Sequence, residues 1–151
     1  MENNDEYNIN YEYIVRYIRS TLKKNTGLIA QMEQYARENS VPIAQPETIR
    51  FIETLVRSAN AKNILEVGAA IGYTSITLAN LGCTVSTIER NEDILPVLYD
   101  NIKKSGHKDD ITVHVGDAKE ILNTLDGTYD LFFLTRQKHS ISNFCRHAFV
   151  F

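Results

Sequence analysis

The chain has 151 residues, of which 43% are apolar and 23% charged, and its formal net charge is −3. This length and apolar fraction are sufficient for the core of one domain. The balanced charge excludes a strongly basic nucleic-acid-binding protein, although a local basic patch for RNA is compatible with it. No apolar run reaches the roughly 18 residues that cross a bilayer, and the acidic, polar N-terminus is unlike a signal peptide.

Cysteine usage points to a reducing compartment. The two cysteines are Cys83 and Cys145, and neither lies in a CxxC motif or a His/Cys cluster. This distribution argues against a disulfide framework and against a zinc site. We therefore expect a cytoplasmic protein with no membrane partner.

Residues 1–60 form a predicted N-terminal helical segment. Pro46 stands where the first turn of a helix tolerates proline, and Pro42 favours an extended backbone at Val41. Apolar residues recur at the three- and four-residue spacing of amphipathic helices. The three groups are Ile14, Tyr17 and Ile18; Leu28, Met32, Tyr35 and Ala36; and Ile49, Ile52, Leu55 and Val56.

In residues 61–134, short apolar runs alternate with helical stretches. The predicted strands are 64–67, 84–88, 111–115 and 129–134, and the predicted helices are 71–81, 93–105 and 118–122. Regular alternation at these lengths is typical of a parallel sheet with right-handed crossovers. The predicted fold class is therefore α/β, with a single domain overall.

The strongest motif runs from Glu66 to Ser75 and reads Glu-Val-Gly-Ala-Ala-Ile-Gly-Tyr-Thr-Ser. It joins a predicted strand to a helix, where glycines permit a tight turn and close approach of a ligand. Amides at the start of the helix would favour an anionic group. Gly68 and Gly72 follow a Gly-x-x-x-Gly spacing, which disfavours the Gly-x-Gly-x-x-Gly of dinucleotide dehydrogenases. A packing turn is the alternative for a glycine pair by itself.

Two more polar features follow the next two predicted strands. Glu89 ends the second strand, where a carboxylate can accept hydrogen bonds from ribose hydroxyls, although a solvated glutamate would look the same. Gly116, Asp117 and Ala118 follow the third strand, and Asp117 could equally be a helix N-cap. Because the carboxyl ends of parallel strands border the ligand crevice, the three features together predict a nucleoside pocket.

The segment 41–79, VPIAQPETIRFIETLVRSANAKNILEVGAAIGYTSITLA, resembles bacterial class I O-methyltransferases of the catechol and caffeoyl-CoA type. Within these it is most similar to the tRNA 5-hydroxyuridine methyltransferases, and the resemblance extends over about 41–134. It implies a Rossmann-like class I methyltransferase sheet preceded by N-terminal helices, with four of the usual seven strands. It also implies S-adenosylmethionine as small-molecule methyl donor and metal-assisted transfer to a hydroxyl of a modified tRNA uridine or a small catechol-like acceptor. Family members are commonly homodimers.

The resemblance also assigns residues to the cofactor. It implies that Glu66, Gly68 and Ser75 surround the methionine part, with Gly72 in the same turn. It implies further that Glu89 holds the ribose. The resemblance places Asp117 and Ala118 beside the adenine. It places Val41 at the mouth of the cofactor pocket, near both the methyl donor and the methyl acceptor.

The resemblance stops after Leu134. In the family the fourth strand ends in an aspartate that is the first ligand of a divalent metal such as Mg²⁺, whereas Thr135 stands here. The tail 135–151 contains no Asp or Glu, and its neighbouring reading frame can encode the missing Asp-x-x-Lys-x-x-Tyr segment. We hypothesise a frameshift that leaves a truncated chain with no complete catalytic or metal site. Metal binding by His139 and His147 is disfavoured because nothing supplies a second shell.

The residues are compatible with two other functions. One is a non-catalytic remnant that binds S-adenosylmethionine or dimerises, and the other is a nucleotide-binding dehydrogenase, disfavoured by the glycine spacing. Tyr11, Tyr13 and Tyr17 could stack on an RNA base. Tyrosines in an amphipathic helix are more often core or dimer contacts, and we expect that alternative.

Overall fold

In a computed structural model, residues 11–134 are described, and they form six helices and four strands around one sheet. The helices are α1 (Glu12–Thr21), α2 (Gly27–Glu38), α3 (Pro46–Ala59), α4 (Tyr73–Ala79), α5 (Leu95–Ser105) and α6 (Ala118–Leu122). The strands are β1 (Asn63–Val67), β2 (Thr84–Glu89), β3 (Ile111–Val115) and β4 (Leu131–Leu134). A 3₁₀ turn, Glu92–Ile94, leads into α5.

The four strands are all parallel and lie in the order β3-β2-β1-β4. Val67 at the end of β1 pairs with Ile88 of β2 on one side and with Leu134 of β4 on the other. The carboxyl ends of the strands therefore meet at one edge of the sheet. This arrangement confirms the predicted α/β fold class.

Side chains of β1 alternate between two apolar layers, as the pleat of a strand requires. Ile64 belongs to the larger core, which the sheet forms with α2, α3, α4 and α5. Leu65 and Val67 belong to a smaller cluster on the opposite face, which α6 partly covers. Glu66 is buried on the same side of β1 as Ile64, so a carboxylate lies within the larger layer.

The predicted boundaries of two elements were wrong. The helix predicted for 71–81 begins only at Tyr73, because Gly72 caps it in a left-handed conformation (φ +83°), and it ends at Ala79. The strand predicted for 129–134 begins at Leu131. Asp130, just before it, accepts hydrogen bonds from the Lys62 and Asn63 amides at 2.7 and 2.9 Å, which ties the start of β4 to the start of β1.

Helix α1 has no buried residue, and its tyrosines face away from the core. Tyr11, Tyr13 and Tyr17 are 61%, 69% and 70% exposed, so they are not core residues of the described part of the chain, and the alternative that they are dimer contacts stays a prediction. The helix is joined to α3 by Arg19, which donates to both carboxylate oxygens of Glu47. No helix among residues 11–134 is long and apolar enough to span a membrane.

The close contact between Gly72 and α5 gives a test of the fold. A Cβ at Gly72 would lie 2.8 Å from Cδ1 of the buried Leu98, whereas a Cβ at Gly82, with a similar φ of +79°, would meet nothing within 4 Å. We expect Gly82→Ala to lower the free energy of unfolding by about 1–2 kcal/mol, the cost of a left-handed alanine. Gly72→Ala should lose about 1–3 kcal/mol more from overpacking. Urea denaturation measures both, and equal losses would contradict the assigned contact.

Candidate functional site

A buried carboxylate lies at the centre of the strand ends. Glu66 of β1 is 0% exposed, and its Oε2 accepts hydrogen bonds from the Ser75 hydroxyl of α4 and from the Thr87 hydroxyl of β2, the latter at 2.8 Å. One oxygen thus connects two strands to the helix that follows the glycine turn. Because buried polar groups are costly unless they are paired, this network fixes the position of α4 above the sheet.

The surroundings of Glu66 disfavour its negative charge. Burial raises the pKa of Glu66 to about 7, the hydroxyls of Ser75, Thr87 and Thr74 oppose this rise, and the neighbouring Glu89 carboxylate adds to it. Its second oxygen, Oε1, is buried and has no hydrogen-bond partner of ordinary geometry among the described residues. The carboxyl group can therefore take up a proton near neutral pH, or it can stabilise a cationic group that approaches the turn.

The glycine turn is anchored to the end of β2. The Gly68 and Ala69 amides both donate to the Ile88 carbonyl, at 2.8 and 3.2 Å. Positive φ angles at Gly68 (+98°), Ala70 (+48°) and Gly72 (+83°) bend the chain sharply between β1 and α4. A positive φ is strained for alanine, so Ala70 holds this conformation only because the surrounding structure enforces it.

Glu89 is held rigidly beside this turn. Its Oε2 accepts a hydrogen bond from the Ala70 amide and its Oε1 accepts one from the Asn91 amide, both at 2.8 Å. The side chain is only 8% exposed. Each carboxylate oxygen has a second lone pair, so the fixed carboxylate can accept two further hydrogen bonds, as a vicinal diol would donate. The Ala70 bond also explains why the strained turn is retained.

The third predicted feature lies next to Glu89. The Gly116 amide donates to the Glu89 carbonyl at 2.9 Å, which continues the β2–β3 pairing past the end of the strands. Asp117 caps α6 by accepting from the Lys119 amide at 2.8 Å, and Ala118 packs in the smaller apolar cluster. The structure therefore brings together the ends of β1, β2 and β3, while one oxygen of Asp117 is already engaged as a helix cap.

Val41 reaches the core from the connection between α2 and α3. Its amide donates to the Ala36 carbonyl at 2.9 Å, and its half-buried side chain packs on the core cluster that includes Ala69 and Ile71 of the turn. Val41 therefore packs on the same apolar layer that Ala69 and Ile71 of the glycine turn join. The hydrogen bonds of the described residues do not connect it to the carboxylates.

Sequence reasoning missed two residues that position the site. Thr87 pairs directly with Glu66 in the β1–β2 register, and its inward direction follows from the alternation of Val85, Thr87 and Glu89 along β2. The sequence alternation could therefore have predicted that Thr87 faces the same side of the sheet as Glu89. The buried Asn101 of α5 donates to the Ile71 carbonyl of the turn at 2.9 Å, a long-range contact that no local pattern indicates.

A metal site is not assembled by the described residues. Within 11–134 no group of three or more His, Cys, Asp and Glu side chains lies close enough to hold a metal ion. Thr135, His139 and His147 lie outside the described residues, so the predictions made for them stay predictions. The described part of the chain does not supply the ligands of the divalent metal that the resemblance implies.

A family model described as O-methyltransferase matches residues 13–150. The chain belongs to this O-methyltransferase family. The match includes residues 135–150, which were set apart from the family on sequence grounds, and the frameshift therefore stays a hypothesis.

Curated relatives and solved structures agree with the family. The catechol O-methyltransferase of Niastella koreensis is 26% identical over 147 residues, which cover 91% of this chain and 66% of that protein. Among solved structures, an O-methyltransferase from Bacillus cereus in complex with SAH is 26% identical with a TM-score of 0.69, covering 82% of this chain and 60% of that one. The O-methyltransferase TomG from Streptomyces achromogenes, in complex with SAM, is 28% identical with a TM-score of 0.69, covering 89% and 62%.

The chain is shorter than these family members. It spans 66%, 40% and 46% of the lengths of the catechol O-methyltransferases of Niastella koreensis, Bos taurus and Sus scrofa. The strand ends described above therefore correspond to one part of those proteins.

The buried Glu66 gives a test by pH. Its folded-state pKa of about 7 lies above the ordinary 4.5, so the folded state binds this proton more tightly. The resulting stability is fully present below about pH 4.5 and is lost as the pH rises through about 7. Glu66→Gln has no proton to lose, and relative to the wild type its free energy of unfolding should rise by up to about 3 kcal/mol over this window.

Urea denaturation at a series of pH values measures this difference. Glu120→Gln, an exposed substitution on α6, is the matched control for the loss of one carboxylate. A difference between the Glu66→Gln variant and the wild type that does not change with pH would contradict the assigned protonation.

Proposed function

We propose that this chain forms the S-adenosylmethionine-binding part of an O-methyltransferase. The observation that carries the proposal is the Glu89 carboxylate, which two backbone amides fix at the end of β2 beside the glycine turn. In that position it can accept hydrogen bonds from both hydroxyls of the cofactor ribose. The SAH and SAM complexes of two family structures support the choice of cofactor.

The charge of the site suits this cofactor. S-adenosylmethionine carries a sulfonium and an ammonium group against one carboxylate, so its net charge is positive. Glu66 and Glu89 lie close enough for one carboxylate to raise the pKa of the other, and the negative potential that they share favours a cation. The backbone amides in the first turn of α4 would receive the methionine carboxylate.

The remaining assignments complete the proposed pocket. Gly68, Gly72 and Ser75 would shape the methionine end of the pocket, and Val41 would close it. Asp117 and Ala118, at the end of β3, would border the adenine. These roles are supported by the position of each residue at the strand ends or on the core layer next to them.

For the reaction we propose that an acceptor hydroxyl oxygen would attack the sulfonium methyl group, so that an oxygen–carbon bond forms while the carbon–sulfur bond breaks. S-adenosylhomocysteine would leave with the bonding electron pair, and the hydroxyl proton would pass to solvent. A catechol-like phenol is supported by the catechol O-methyltransferases among the relatives. A hydroxyl of a modified tRNA uridine is the second candidate, supported by the exposed aromatic surface of α1, where the Tyr11 and Tyr13 rings stack at 5.8 Å. A divalent metal and a homodimer, both implied by the resemblance, belong to the proposal for the intact enzyme.

Cofactor binding is the first experiment. Glu89→Gln removes the charge that receives the ribose hydroxyls and places an amide donor near the Ala70 or Asn91 amide. We expect S-adenosylmethionine and S-adenosylhomocysteine to bind this variant about ten-fold or more weakly by calorimetry, which corresponds to the loss of one charge-assisted interaction. Glu92→Gln, an exposed change three residues further on, is the control and should bind like the wild type.

The same titrations separate the alternatives. Tighter binding of NAD than of S-adenosylmethionine would contradict the proposal in favour of a dehydrogenase. Equal affinities of the Glu89→Gln and Glu92→Gln variants would contradict the assigned role of Glu89.

We further propose that methyl transfer by this chain is inefficient, because Thr135 stands where the family has its metal-binding aspartate. In assays with a catechol and with hydroxyuridine-bearing tRNA, we expect little turnover despite cofactor binding. Turnover comparable to that of an intact catechol O-methyltransferase, measured in parallel, would contradict this part of the proposal.

A further inference from the structure

A concave site lies among the N-terminal helices, apart from the strand ends. A cleft of about 430 Å³ opens between the C-terminal end of α1, the loop that follows it, α2 and α3. None of the strand-end residues described above lines it. Among the described residues, its ionisable lining consists of five cations and one carboxylate, namely Arg19, Lys23, Lys24, Arg37, Arg50 and Glu33.

Two of the five cations are neutralised by carboxylates of α3. Arg19 donates to both oxygens of Glu47, at 2.9 and 2.8 Å, and this contact holds the pKa of Glu47 below its ordinary value. Arg50 donates to both oxygens of Glu53, at 3.0 and 2.7 Å. These arginines are therefore fixed in the wall of the cleft.

The other three cations have no such partner. The side chains of Lys23, Lys24 and Arg37 make no hydrogen bond or ion pair with residues 11–134. They come from the α1–α2 loop and from the last turn of α2, and all three are exposed. In a chain with a net charge of −3, this is a local surplus of positive charge around a concavity.

The polar side chains at the floor of the cleft are held by hydrogen bonds to one another and to the backbone. Arg50 also donates to Oδ1 of Asn25 at 2.7 Å and to the Lys23 carbonyl at 3.2 Å, which fixes the loop. Oε1 of Glu33 accepts from the side-chain Nδ2 of Asn25 and from the Tyr73 hydroxyl, each at 2.7 Å. The Glu33 carboxylate is thus bound by two donors, and it competes less for the free cations.

We propose that this cleft binds a phosphate-bearing ligand of about nucleotide size, with Lys23, Lys24 and Arg37 contacting the phosphate oxygens. The volume lies within the roughly 300–1,000 Å³ of small-ligand sites. A phosphate presents three acceptor oxygens and up to two charges, which matches several cationic donors that converge from separate elements. A solvated basic surface would not require the hydrogen-bonded floor beneath these side chains. The proposal does not depend on the cofactor assigned to the strand ends.

The phosphate could belong to a free anion or to a polynucleotide. Calorimetric titration of the chain with inorganic pyrophosphate and with a short single-stranded RNA distinguishes the two. The cleft variant combines Lys23→Ala, Lys24→Ala and Arg37→Ala. The control variant makes the same change in net charge at exposed residues outside the cleft lining, namely Arg57→Ala, Lys103→Ala and Lys108→Ala.

We expect the cleft variant to bind at least one probe about ten-fold or more weakly than the wild type, and the control variant to bind it like the wild type. Cleft-dependent binding of pyrophosphate assigns a free phosphate ligand. Cleft-dependent binding of RNA alone assigns a polynucleotide. Equal weakening in both variants shows non-specific attraction and overturns the proposal, as does the absence of binding of either probe to the wild type. The single variant Arg37→Ala repeats the binding test with less disturbance of the fold. We expect it to bind the probe more weakly than the wild type while its thermal unfolding midpoint stays unchanged.

Discussion

The buried carboxylate of Glu66 is the constraint on which the rest of this structure depends. It lies inside an apolar layer, where an unpaired charge would be very costly, and it is tolerated because hydroxyls from α4 and β2 bond to one of its oxygens. These same bonds fix the helix after the glycine turn against the two central strands. The position of the glycine turn therefore follows from the hydrogen bonds that the buried Glu66 carboxylate requires. A ligand bound at the turn is positioned by the same bonds.

The Glu66 network also explains the position of Glu89. Because the β1–β2 register places Glu66 opposite Thr87, the next inward residue of β2 is Glu89, at the point where the strand ends. There the Ala70 amide of the strained turn reaches its carboxylate. The binding geometry is therefore built from backbone amides and strand register, which are rigid, and not from mobile loop side chains.

The described molecule separates its charges between two places. The strand ends carry two neighbouring carboxylates, whereas the cleft among the N-terminal helices carries three cations without carboxylate partners in the described chain. The hydrogen bond from Tyr73 to Glu33 joins them, since Tyr73 begins α4 directly after the turn. At the other side of the sheet, β4 pairs only with β1 and is an edge strand of the described chain. An apolar edge of this kind is open to pairing with a further strand.

The sequence by itself determined the α/β alternation, the parallel sheet and the three strand-end features, because periodicity and glycine spacing are local properties of the chain. It also determined where α3 begins, since Pro46 restricts its own backbone. Only the tertiary structure decided which faces are buried: Tyr17 shares with Ile14 and Ile18 a helical spacing typical of a core face, yet none of the three is buried in the described part of the chain. Likewise the Asn101 contact with the turn and the convergence of Lys23, Lys24 and Arg37 join residues far apart in the chain. Such contacts depend on how helices pack on the sheet, which is a property of the assembled layers and not of any local pattern.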